Sequence, residues 1–97
     1  MSVLIVANIA VQNAASLAAY QAAAAASMKE FGISLLGKAA PTALLEGEFA
    51  GMITVVLEAE SEEVARDWHA SDSYAEAIAA RSEDAEFAIA IVPSVGG

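Results

Sequence analysis

The chain has 97 residues, which leaves room for one core and no second one, so it reads as a single domain over 1–97. It contains no cysteine, and that excludes disulfides, thiolate nucleophiles and thiolate metal sites together. A formal charge of −9, with only the scattered Lys29, Lys38, Arg66 and Arg81 positive, argues against partners that need clustered basic residues, namely nucleic acid and anionic membrane surfaces.

Val3 to Val11 is apolar at both parities: Val3, Ile5, Ile9 and Val11 share one face, Leu4, Val6 and Ala10 the other. A strand without a polar face must be covered on both sides. No basic residue precedes this run, and Asn8, Gln12, Asn13, Ser16 and Gln21 interrupt the first thirty residues, so neither a signal peptide nor a membrane span is expected. The expected location is cytoplasmic. Asn13 is an expected N-cap for a helix over Ala14 to Phe31, with Leu17, Tyr20, Ala24, Met28 and Phe31 as its core stripe and Gly32 as its C-cap. Within it, Ala22 to Ala26 combines high helix propensity with little bulk, which suits close approach of helix to sheet. A short strand is expected at Ile33 to Leu36, an irregular stretch at Gly37 to Pro41, a second extended piece at Thr42 to Leu45, and a turn between Gly47 and Gly51.

Met52 to Ala59 alternates clearly, with Ile53, Val55, Leu57 and Ala59 on one face and Met52, Thr54, Val56 and Glu58 on the other. Ser61 caps the next helix, whose first turn carries Glu62 and Glu63 against the positive end of the helix dipole. Ser71 reads as a second N-cap, so this helix breaks and restarts through Tyr74 and Ile78 to Arg81. Phe87 to Val92 is the final strand. The order strand, helix, strand, strand, broken helix, strand predicts an α+β domain of ferredoxin-like βαββαβ type, an antiparallel sheet with two helices on one face. The other face then needs a cover. The 58% apolar composition exceeds what one thin sheet and two helices use, and a second copy of the chain supplies the cover.

Chemistry-bearing residues are few. His69, the one histidine, reads either as a general base or as a helix residue at a surface junction; no orienting partner is identifiable. Ser71 lies two residues away, off the His69 face of a helix, and its capping role accounts for it. Glu58, Glu60, Glu62 and Glu63 fit no metal-ligand spacing, so no metal is expected; Glu58 alone has the parity of the open, dimer-facing side. Trp68, Tyr74 and Arg81 read either as the lining of a ligand cleft, with Arg81 clamping an anion, or as core plus a cation at a helix C-terminus. Lys38 is a second candidate anion contact.

At these residues the chain resembles a known family. Ser61-x-Glu63-x-Ala65-x-x-Trp68-x-x-Ser71-x-x-Tyr74, with Arg81 seven residues on, resembles the signature of domain-of-unknown-function family 1330, and Leu45-Glu46-Gly47 before the strand from Met52 fits the same pattern. The likeness covers nearly the whole chain. It implies a dimeric α/β barrel in which two ferredoxin-like units pack sheet against sheet, an architecture shared with small cofactor-free monooxygenases. It implies no activity. The chain departs from the family's pattern at Leu36-Gly37-Lys38-Ala39-Ala40, where an Arg followed by glycines is usual and only Lys38 could substitute, and at Asp72, where Pro is common.

The sequence therefore predicts a homodimer through the sheet face that binds a small apolar or carboxylate-bearing molecule between helices and sheet, without a cofactor. Trp68, His69, Tyr74, Arg81 and Lys38 are the expected lining. The alternatives are a cofactor-independent monooxygenase or isomerase with His69 as base, and an interaction module with no ligand.

Overall fold

Alternation along the first strand decides where the core lies. The computed structural model describes residues 2–10, 14–48, 53–81 and 85–94. In β1 (Val3–Ala10), Val3, Ile5, Ala7 and Ile9 are buried, while Leu4, Val6, Asn8 and Ala10 are only half-buried. Leu57 and Ala59 of β3 (Ile53–Ala59) join the buried set, and Phe87, Ile89 and Ile91 of β4 (Glu86–Pro93) pack against it. With β2 (Ser34–Ala39) these strands form one four-stranded sheet in the order β2-β3-β1-β4, every neighbouring pair antiparallel. Three helices, α1 (Ala14–Glu30), α2 (Glu62–His69) and α3 (Asp72–Ala79), bring Tyr20, Ala24, Ala65, Trp68, Tyr74 and Ala77 onto the buried face. The domain is α+β.

Helix ends follow local chemistry. Gly32, at φ +67°, closes α1: Ile33 N–H donates to the Met28 carbonyl (2.9 Å) and Gly32 N–H to that of Lys29 (3.3 Å), the paired bonds of a Schellman cap. The Ser61 hydroxyl accepts the Val64 N–H at 3.2 Å and opens α2. Ser71 does two jobs with one hydroxyl, donating to the Trp68 carbonyl (2.6 Å) and accepting the Tyr74 N–H (3.1 Å). It ends one helix and starts the next, as the sequence predicts. The restart stops at Ala79, so Arg81 lies just beyond α3 instead of in its last turn.

Three expectations change. β2 begins at Ser34 and continues to Ala39, past the predicted end at Leu36, because a bulge between Leu35 and Gly37 lets the ladder resume at Gly37. Thr42 to Leu45 is exposed and forms no strand, with Leu45 92% exposed. The alanine run does not bring α1 down onto the sheet: Ala24 is buried, Ala22, Ala25 and Ala26 are exposed, and the element nearest α1 is α3. The expected Asn13 cap, Val11 at the end of strand one, and Gly51 and Met52 fall outside the described residues. Among the described residues, no helix is long and apolar enough to cross a membrane.

On the face away from the helices, Leu4 pairs with Glu58 and Val92, Val6 with Val56 and Ala90, and Asn8 with Thr54 and Ala88. Thr54 Oγ1 donates to Asn8 Oδ1 at 3.1 Å across the strands. The predicted parity of β1 and β3 is therefore observed, Glu58 included.

Candidate functional site

Trp68 is the hub of the helix layer. Its indole is buried, and its Nε1–H donates to Ser27 Oγ at 2.9 Å; that hydroxyl, itself fully buried, donates on to the Ala24 carbonyl at 2.7 Å. The relay holds the ring plane between α1 and α2, and the ring lines a cleft on either side.

One cleft, of about 360 Å³, runs between α1 and the sheet. Its walls are apolar side chains of β1, β2 and β3, including Ile5, Leu35, Val55 and Leu57, with Tyr20 and Trp68 at one side. Among the described residues its charged lining is Lys29, from the last turn of α1, and Lys38, from β2, both exposed, with no carboxylate. The second cleft, about 390 Å³, lies between α2 and β1 and β4, and there Arg66, Trp68 and His69 meet Ile5, Ile89 and Ile91.

Next to Trp68 lies a closed aromatic and cationic cluster. The Tyr74 ring, with no exposed surface, is 4.4 Å from the Trp68 ring, and its hydroxyl is 2.6 Å from the Tyr20 hydroxyl. Arg81 Nη2 donates to the Tyr74 hydroxyl at 2.8 Å, and the guanidinium carbon lies 3.7 Å from the Phe87 ring centroid and 5.0 Å from that of Tyr20. Among the described residues, none hydrogen-bonds the buried Arg81 Nε. Stacking of this kind is worth roughly 0.5–2 kcal/mol, and here it ties α1, the end of α3 and β4 together. Burial first, and then the bond to Tyr20, push the Tyr74 phenol well above the usual tyrosine range, although Arg81 pulls the other way. Tyr74 is therefore a neutral hydrogen-bonding group and supplies no phenolate.

The family model for Domain of unknown function (DUF1330) matches residues 2–95. The chain belongs to the DUF1330 family. Two solved structures resemble this DUF1330 domain in fold. The RPA0582 protein of unknown function from Rhodopseudomonas palustris superposes with a TM-score of 0.71 at 14% identity, over 92% of this chain and 80% of that one. The methylated RPA0582 protein gives 0.75 at 13% identity, over 97% and 81%. No curated protein matches the chain. At these identities the likeness concerns fold alone.

In this DUF1330 domain the five sequence-predicted site residues separate into three places. Trp68 lines both clefts, Lys38 the one between α1 and the sheet and His69 the one beside α2. Tyr74 and Arg81 line neither; they meet in the closed cluster. The Arg81 alternatives, anion clamp or helix-terminus cation, give way to a third arrangement, a guanidinium sandwiched among rings. His69 is exposed, its ring 5.2 Å from that of Tyr74, and among the described residues no side chain hydrogen-bonds either imidazole nitrogen. Nothing there orients it for proton transfer. Among the described residues no three His, Asp or Glu side chains converge, the run from Glu58 to Glu63 included.

Sequence reasoning passed over Ser27, Lys29 and Phe87. Ser27 lies three residues after Ala24 on the core stripe, so helical period alone could have marked it as a polar residue facing the core. Lys29 carried no such signal, since its place at the mouth depends on where β2 ends.

Proposed function

We propose that this protein is a homodimeric binding protein: two copies mate through the open faces of their sheets, and each takes a small, mostly apolar or carboxylate-bearing molecule in the cleft between α1 and the sheet. The observation that carries the binding reading is the cleft between α1 and the sheet itself. Its volume falls within the range of small-molecule sites, roughly 300–1,000 Å³, and its walls are apolar while its few polar groups gather on Lys29, Lys38 and Gln21. A thermal-shift and native mass-spectrometry screen against aromatic and carboxylate metabolites tests it. Trp68, the chain's one tryptophan, lines the cleft, so its emission reports occupancy directly. The expected result is a stabilising ligand that also shifts that emission; a screen without one overturns the reading.

The dimer reading is supported by the open face. Leu4, Val6, Val56, Ala90 and Val92 form an apolar patch on a sheet whose helices all lie on the other side. The strand order and antiparallel pairing fit two ferredoxin-like units closing a barrel of this kind. Val6 has β3 and β4 as neighbours on both sides, so Val6→Glu puts a charge at the patch centre. Light scattering at micromolar concentration should give twice the chain mass for the wild type and the single-chain mass for the variant, with unchanged circular dichroism. A wild type that is a monodisperse monomer overturns it.

A further inference from the structure

A bulge in β2 determines which way its lysine faces. Leu35 and Lys38 are three residues apart, and in an unbroken strand such residues point to opposite faces. Yet both line the cleft between α1 and the sheet. Leu35 pairs with Leu57 and Lys38 with Val55, two residues of β3 that themselves line the cleft. The ladder accommodates this because Leu36 is inserted at the register shift between Leu35 and Gly37, which turns every later side chain by one face. Without that residue, either Leu35 would leave the cleft wall or Lys38 would point to the open face. The bulge therefore adds a cation to an apolar cavity while keeping its leucine wall.

The charge distribution makes this pointed. The chain carries 13 acidic and 4 basic residues, yet among the described residues the cleft between α1 and the sheet is lined by two of the four cations and none of the acids. Lys29 lies in the last turn of α1, which the Gly32 cap ends before the chain enters β2. Both ammonium groups are exposed at the edge of the cleft, with apolar side chains behind them. Resting on the binding reading above, we propose that the ligand is an amphipathic monocarboxylate, its tail against Ile5, Leu35 and Leu57 and its carboxylate held by Lys38 and Lys29. An ammonium–carboxylate hydrogen bond that water partly reaches strengthens binding roughly tenfold to a hundredfold over an uncharged head group.

The test compares octanoate with 1-octanol, which share a tail of the same length, by calorimetry and Trp68 emission on the intact protein. The expected result is octanoate binding at least tenfold tighter, with the preference falling to within about threefold in Lys38→Met and diminishing in Lys29→Met, while octanol affinity stays unchanged. Equal affinities in the wild type, or a preference that survives both substitutions, overturn this inference and leave the cleft as an apolar binding site. Failure of both probes to bind or to move the Trp68 emission overturns the binding reading as well, so the two are distinguishable.

Discussion

Ser27→Ala probes the best-defined polar contact in the core. The Ser27 hydroxyl has no exposed surface, accepts the Trp68 Nε1–H at 2.9 Å and donates to Ala24 at 2.7 Å. Truncation strands the indole N–H among apolar neighbours, at a cost of about 1–3 kcal/mol. The higher helix propensity of alanine offsets at most roughly 0.5 kcal/mol of this. A net loss of about 1–2 kcal/mol follows, and in a domain of this size each kcal/mol lowers the melting temperature by about 4–8 °C. The argument has a sharper form. In a Trp68→Phe background there is no indole N–H to strand, so the same Ser27→Ala change should cost little or nothing, a coupling of about 1–2 kcal/mol. Urea unfolding followed by circular dichroism at one fixed protein concentration gives both numbers. If Ser27→Ala is as stable as the wild type, or costs the same in both backgrounds, the relay does not hold the indole as described.

Two further outcomes follow from the cluster and the cap. Because Tyr74 keeps its proton in the folded state at a pH where the unfolded chain, with a tyrosine pKa of about 10, gives its proton up, stability is full below that pH and falls as pH rises above it. Urea midpoints between about pH 9 and 11 should decline more steeply in the wild type than in Tyr74→Phe; parallel slopes would contradict the burial of that phenol. Gly32→Ala adds a Cβ that meets nothing within 4 Å, so its whole cost is the φ of +67°, about 1–2 kcal/mol, read as a lower melting temperature, with Gly32→Asn less affected.

Much of the fold was legible because it depends on local patterns. Ile53 to Ala59 alternates with the period of a strand, Val3 to Ile9 is an apolar, β-branched run at both parities, and Ser61, Ser71 and Gly32 mark helix ends through bonds to their own neighbours. The candidate site was legible in part. Trp68 and Lys38 line the cleft between α1 and the sheet and His69 the one beside α2, but Tyr74 and Arg81, equally plausible from spacing, turn inward onto Tyr20 and Phe87.

The division has a physical cause. Periodicity and capping act within a few residues, so the sequence by itself determined the α+β element order, the parity of β1 and β3 and the break at Ser71. Where a side chain ends up depends on which distant residues it meets. The hydroxyl of Ser27 meets Trp68 across 41 positions, and that of Tyr20 meets Tyr74 across 54. The direction of Lys38 turns on one inserted residue whose effect is defined only by the pairing with β3. Only the tertiary structure could decide those, because each is a relation between segments that neither segment encodes alone.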